Sequence, residues 1–282
     1  MPELPEVETV RKGLEKLLND FYIKKIDVLK ERSIASFGGS QCFIKNIENS
    51  YLGNWERRGK YLIGSINDKE KRNKGFIVVH LRMTGQFKIT TNQTPPCNHT
   101  RVRFFEEEGK ELRFIDIRNF GQMWYVPTYS SVPEIVSGIK NLGPEPFSED
   151  FNSNYLEKYL KNKTRSIKSA LLDQKTVAGV GNIYADESLF DAGINPKTKS
   201  KHLKKTQLNK LCHSIVKILT ISIGEGGTTF SDFRDLQGIN GNYGGQAWVY
   251  RRSGKQCKKC GEKILREKIC GRSTHWCPNC QK

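Results

Sequence analysis

The chain has 282 residues and carries 47 Lys and Arg against 30 Asp and Glu, a formal net charge of +17. Its length suits two medium domains plus a small module, and its charge points to a polyanionic partner, nucleic acid before a membrane surface or an acidic protein. No apolar run approaches the roughly 20 residues that span a bilayer, and Glu3, Glu6 and Glu8 stand where a secretory signal would carry Lys or Arg. A cytoplasmic protein with no signal peptide or transmembrane segment is expected.

A first helix is expected from Pro5, placed at the first helical position, with Glu6 and Glu8 at the positive end of its dipole. Val7, Val10, Leu14, Leu17 and Leu18 recur behind it as a buried stripe. Those features leave Pro2 and Glu3 unexplained. Once Met1 is removed, Pro2 is a free secondary amine, and an α-amino group has a pKa of roughly 7.7–8.0. A useful fraction is then neutral and able to attack a carbonyl-like carbon to form a Schiff base, with Glu3 and Glu6 near enough to exchange protons.

Short apolar runs alternate with turn signals for the next hundred or so residues: Phe21 to Leu29, Tyr61 to Ile66, Phe76 to Leu81, Arg101 to Phe105, Leu112 to Ile117 and Met123 to Val126. They predict an antiparallel β-sandwich or barrel, with Glu106 to Lys110 as a hairpin turn around Gly109. Pro127, Pro133, Pro144 and Pro146 mark a linker. Helical periodicity follows over Tyr155 to Leu160, Ser166 to Leu172, Asn182 to Phe190 and Leu203 to Ile223, the last capped by Thr206. From Gly224 to Gly245 the chain holds seven glycines in 22 residues, which predicts a long mobile loop serving as a linker or for binding. The fold class is therefore α+β and multidomain. Residues 1–133 form an N-terminal catalytic β-sandwich with a leading helix, 134–246 a helical domain with the Gly-rich loop, and 247–282 a C-terminal zinc hairpin.

That last assignment rests on Cys257-x2-Cys260, sixteen residues, then Cys277-x2-Cys280. Two such knuckles at the ends of a hairpin close four thiolates around one Zn²⁺ and leave no open position for water, so the zinc is structural. Cys270 and His275 fit a knuckle worse and are read as hairpin residues, while Cys42, Cys97 and Cys212 are expected as buried small hydrophobes. Between Arg251 and Lys282 lie ten Lys or Arg and two Glu. A metal-stiffened hairpin carrying such charge is suited to gripping phosphate.

Taken together, Met1-Pro2-Glu3-Leu4-Pro5-Glu6 at the start, Gly179-Val180-Gly181-Asn182-Ile183-Tyr184-Ala185-Asp186-Glu187 in the middle and the four-cysteine hairpin at the end resemble the bacterial formamidopyrimidine-DNA glycosylase family over the whole chain. The resemblance implies a bifunctional DNA glycosylase and abasic-site lyase that excises oxidised purines, 8-oxoguanine and formamidopyrimidines, from duplex DNA in base excision repair. Its partner is double-stranded DNA with oxidised bases or abasic sites, bound by a monomer that is nucleoid-associated when engaged, and no redox cofactor is expected.

On this resemblance Pro2 is the nucleophile, Glu3 the acid that opens the sugar, and Glu6 a supporting carboxyl. Lys60, in Arg57-Arg58-Gly59-Lys60, and Arg272 of the hairpin complete the catalytic set by holding phosphates beside the lesion, with Asn182, in the family's helix-two-turn-helix, as another clamp. His80 and Lys168 are weaker DNA contacts. Met83, Arg118 and Phe120 match a wedge that fills the space left by an everted base. Leu4, Arg118 and Phe120 favour the oxidised-purine branch over endonuclease VIII-like siblings. The Gly-rich loop is expected to govern lesion choice. Arg251 departs from the family by standing where many members have Gly. A non-catalytic zinc-ribbon protein binding DNA or RNA explains the charge and the cysteines equally well, but not Pro2 with Glu3.

Overall fold

A computed structural model describes residues 1–18, 20–230 and 233–282. The chain divides into two compact units, one of residues 1–140 with 226–242 and the other of residues 141–225 with 243–282.

The first unit opens with helix α1 (Leu4–Leu17). Glu3 is its N-cap, and Pro5 lies at the second helical position rather than the first; either place tolerates a missing N–H, because the first-turn donors have no intrahelical acceptor. Val7, Val10, Leu14 and Leu18 are buried as expected, and Leu17 is partly buried against the same core.

The run predicted as one strand from Phe21 is split. β1 (Tyr22–Ile23) and β2 (Lys25–Val28) join different sheets, so Lys24 is where the chain crosses between layers. Helix α2 (Gly39–Ile47) and strand β3 (Ser50–Arg58) follow, then β4 (Tyr61–Asn67), β5 (Asn73–His80), β6 (Gly85–Thr91), β7 (Thr100–Phe105), β8 (Lys110–Asp116) and β9 (Gln122–Pro127). One sheet has the order β1-β3-β4-β5-β9 and the other β2-β7-β8-β6, with every pairing antiparallel. The expected hairpin at 106–110 is present, closed by Glu106 N–H to Lys110 O at 2.9 Å with Gly109 at φ 86°. Leu62, Ile77 and Val79 of one sheet and Phe87, Phe104 and Phe114 of the other share one core with Val7, Val10 and Leu14 of α1. That core makes the β-sandwich with its leading helix.

The Gly-rich stretch contributes to this core. Phe233 and Leu236 are buried in it, and Leu236 Cδ1 lies 3.1 Å from where a Cβ on Gly13 would stand. Short helices α3 (Val132–Ile135) and α4 (Ser137–Lys140) close the unit.

The second unit holds α5 (Ser153–Leu160), α6 (Ile167–Leu172), α7 (Asn182–Asp191) and the long α8 (Lys205–Gly224). Thr206 does not cap α8; Lys204 occupies the N-cap in an extended conformation, held by its N–H to Gln207 Oε1 at 3.0 Å. After α9 (Tyr243–Gln246), β10 (Leu265–Ile269) and β11 (Arg272–Trp276) form a hairpin whose tip is Cys270–Gly271, at φ 47° and 76°. Two left-handed residues in a two-residue loop match the right-handed twist of the strands.

Candidate functional site

The N-terminus is anchored by a buried carboxyl. Glu6, only 1% exposed, accepts the Glu3 N–H at 2.7 Å on Oε2 and the Thr228 N–H at 2.8 Å on Oε1. One side chain thus fixes the backbone after Pro2 and the first turn of the Gly-rich stretch. Gly227, at φ 81°, packs so closely that an added Cβ would stand 2.9 Å from Glu6 Oε1. Pro2 and Glu3 are buried beside this junction, whereas Met1 is 51% exposed.

Met1 shares a cavity of about 380 Å³ with Arg32, Arg82, Met83, Phe120 and Gln122. Three residues predicted from far-apart motifs meet here: Arg118 Nη1 is 3.0 Å from Met83 Sδ, and its guanidinium lies 4.9 Å from the Phe120 ring centre. Arg32 approaches the other way, 5.5 Å from the same ring centre. Phe120 is 39% exposed and Arg118 is exposed, so the aromatic is held at the surface by cations rather than buried as its type alone suggests.

Lys60 follows Gly59 (φ 56°) in the β3–β4 turn and is 7% exposed. His80, at the end of β5, stacks edge-on against Tyr61 at 4.5 Å and accepts the Arg82 N–H on Nδ1 at 2.9 Å. Burial, with the charges of Arg82 and Lys60, pushes its pKa down to about 3. The ring is therefore neutral at pH 7 and carries its proton on Nε2.

In the second unit, Asn182 starts α7 and donates from Nδ2 to Ser273 O at 3.0 Å, tying the helix to the residue after Arg272. Arg272 begins β11 and is exposed. Lys168 requires a correction. Its side chain has no exposed surface, and Nζ lies 2.6 Å from the equally buried Asp186 Oδ1 while donating to Ser273 O at 2.9 Å. An ammonium enclosed in this way braces the zinc hairpin against α6 and α7 and does not present itself to a ligand. Asp186 also accepts the His275 N–H at 2.8 Å, so His275 serves the hairpin as expected and stands outside the cysteine cluster.

The Sγ atoms of Cys257, Cys260, Cys277 and Cys280 all lie within 4.8 Å of one another, with Cys257–Cys280 at 3.9 Å and Cys260–Cys277 at 3.5 Å. Tetrahedral Zn–S bonds of about 2.3 Å require S···S separations of about 3.8 Å, whereas a disulfide requires about 2.0 Å. The four thiols fit one structural zinc. Cys270 sits exposed at the hairpin tip; Cys97 is also exposed and Cys42 half-buried, so of the three cysteines expected inside only Cys212 is buried.

Two buried acids were not singled out from sequence. Glu187 accepts from Tyr243 Oη and from the N–H groups of Trp248, Val249 and Tyr250 at 2.8–3.1 Å, joining α7 to the segment before the zinc hairpin. Burial pushes its carboxyl up against the opposing pull of those donors. Asp116, at the end of β8, binds the loop that carries Arg118 and Phe120. Its place just before a turn that contains Asn119 and Gly121, where Asp side chains commonly hold backbone N–H groups, is the signal that could have found it.

These arrangements define a zinc-hairpin protein with a buried amino-terminal Pro-Glu pair and a cationic, aromatic surface cluster. Family models match as the formamidopyrimidine-DNA glycosylase N-terminal domain over residues 1–123, its H2TH domain over 142–234, and the zinc finger found in FPG and IleRS over 254–282. The chain is 81% identical over 282 residues to the formamidopyrimidine-DNA glycosylase of Prochlorococcus marinus strain NATL2A and 62% identical over 285 to that of strain MIT 9211, covering 100% of each. It superposes with a TM-score of 0.91 on a Lactococcus lactis FPG mutant, G226P, in complex with DNA containing Fapy-dG (34% identity, 100% of both chains). A Lactococcus lactis Fpg complex with abasic-site DNA gives the same score (35% identity, 99% of both). The chain belongs to the formamidopyrimidine-DNA glycosylase family.

Proposed function

We propose that this glycosylase excises oxidised purines from duplex DNA and then cleaves the strand through a Schiff base on Pro2. The observation that carries the reading is the buried Pro2-Glu3 start of α1, fixed by Glu6 to the Gly-rich stretch. With Met1 removed, neutral Pro2 attacks C1′ of the lesion nucleotide as the bond from C1′ to the base breaks, and Glu3 protonates the sugar ring oxygen. The iminium that forms acidifies the neighbouring sugar protons, so β- and then δ-elimination release the strand on both sides. A base inside a duplex must first be everted; Met83 and Phe120 fill the space left behind, and Arg118 reads the orphaned partner's edge.

Lys60, Asn182 and Arg272 hold phosphates around the everted nucleotide, and His80, neutral, offers an Nε2–H rather than a charge. The cysteine-bound zinc stiffens the hairpin bearing Arg272 and takes no part in the chemistry. Support for DNA as partner comes from the net charge of +17 and from the likeness to Fpg–DNA complexes. The functional divisions are residues 1–133, 134–246 and 247–282, and residues 226–242 serve the first of them. The deciding experiment is product analysis on duplexes carrying 8-oxoguanine opposite cytosine or thymine glycol. Faster excision of 8-oxoguanine supports the oxidised-purine reading, and faster release of thymine glycol overturns it.

A further inference from the structure

Asp116 is fully buried, although it stands next to the exposed loop that bears Arg118 and Phe120. Its Oδ2 accepts the N–H groups of Phe120 at 2.8 Å and Gly121 at 2.7 Å, and its Oδ1 accepts that of Arg118 at 3.2 Å. The Thr84 hydroxyl donates to the same Oδ1 and itself accepts the Arg118 N–H at 3.0 Å. The Asp116 carbonyl in turn accepts from Arg101 Nε at 2.7 Å, which anchors the acid to β7. One carboxyl group and one hydroxyl therefore stitch together two loops distant in sequence: residues 82–84, bearing Met83, and residues 117–121, bearing Arg118 and Phe120.

Each loop passes through the left-handed region at one residue, a strained conformation for arginine and a tolerated one for asparagine. Arg82, next to Met83, has φ 53°, and Asn119, between Arg118 and Phe120, has φ 54°. The left-handed region disfavours L-residues and persists where surrounding contacts over-determine it. Room beneath the loop is equally constrained, since a Cβ on Gly121 would meet Phe114 Cζ at 2.4 Å. The 82–84 loop is braced again by the Arg82 N–H to His80 Nδ1 at 2.9 Å.

From this arrangement we infer that Asp116, acting with Thr84, is the positioning residue that presets the wedge, holding Met83, Arg118 and Phe120 as one unit before DNA arrives. The inference rests on the proposed role of those three residues in base eversion. Its physical content is preorganisation: a wedge already ordered does not lose conformational entropy when it enters the duplex. Asparagine is a poor substitute, because its amide NH2 would face either the Phe120 and Gly121 donors or those of Thr84 and Arg118.

The test compares the zinc-loaded enzyme with Asp116→Asn, Thr84→Val, and Phe120→Ala as the reference for loss of a wedge side chain. Three quantities are read: single-turnover excision of 8-oxoguanine from duplex DNA, cleavage of a preformed abasic site, and fluorescence of a 2-aminopurine placed beside the lesion, which reports eversion. Asp116→Asn and Thr84→Val are expected to slow both excision and the fluorescence change by about tenfold, the equivalent of one strong hydrogen bond, while abasic-site cleavage changes by less than about twofold. Thr84→Val decides the matter if Asp116→Asn does not fold. If Phe120→Ala shows the selective loss but neither Asp116→Asn nor Thr84→Val does, Asp116 has no positioning role. If the two positioning variants slow all three readouts in proportion, their effect is on general stability and the inference is wrong. If Phe120→Ala itself leaves eversion unchanged, the wedge reading falls and the inference with it.

Discussion

Replacing Lys168 by Met tests how the zinc hairpin is held to the helices. The Nζ group is 2.6 Å from Asp186 Oδ1 and 2.9 Å from Ser273 O, and neither charged side chain is exposed. Removing the lysine leaves a buried carboxylate whose remaining support includes the His275 N–H at 2.8 Å. Breaking one partner out of a buried ion pair costs about 3–5 kcal/mol, because the other charge stays desolvated. At about 1.4 kcal/mol per decade, the folding constant of the second unit should fall by at least a hundredfold. Urea unfolding of the zinc-loaded protein, followed by tryptophan fluorescence, reads this as a lower midpoint. The double variant Lys168→Met/Asp186→Leu should recover most of the loss, since an apolar pair of similar volume carries no uncompensated charge. The contrary result is equally plain. If Lys168 instead touched a DNA phosphate, Lys168→Met would leave the urea midpoint in place and reduce the slope of log affinity against log salt by about 0.9.

Further outcomes follow from particular residues. His80 binds a proton only near pH 3 when folded, against 6.5 for the unfolded reference, so between those values the unfolded chain holds more protons and stability falls as pH falls. Wild type should therefore lose about 2 kcal/mol between pH 7 and pH 5 that His80→Gln does not lose, as measured by urea unfolding at both pH values. Gly227→Ala, at φ 81° and pressed against Glu6, should cost about 1–2 kcal/mol and slow excision; an unchanged rate would disconnect this segment from the active N-terminus. Arg251 has φ 56°, a conformation glycine adopts without strain, so Arg251→Gly should stabilise the fold by a few tenths of a kcal/mol to about 1 kcal/mol, seen as a higher unfolding midpoint, and a lower midpoint would contradict the strain.

What could be read from the sequence follows how local each signal is. The zinc ligands were legible because four thiolates at fixed spacing state their own chemistry, and α1 was legible because its apolar period and first-turn acids agree. The strand run from Phe21 was seen, but not its division at Lys24, since a change of sheet depends on pairing with β3 and β7 far along the chain. Lys168 and Cys97 were misplaced for a related reason: residue type sets an average exposure, while Asp186 and the fold decide the actual one. The Gly-rich stretch looked like a mobile loop because glycine content hides Phe233 and Leu236, whose burial in the first unit is a long-range packing outcome. Met83 and Phe120 became recognisable only through family likeness; periodicity alone would have buried both.

The central claim is that the amine of Pro2 forms a covalent bond to the sugar, and borohydride trapping tests it most directly. The purified protein, incubated with abasic-site DNA and reduced, should give one cross-linked species, and mass spectrometry should place the adduct on an N-terminal peptide lacking Met1. Pro2→Gly should largely abolish strand cleavage while leaving DNA affinity within about twofold, because the substitution removes the reactive secondary amine and not the phosphate contacts. An adduct mapped to a lysine, or full cleavage by protein that retains Met1, would contradict the account.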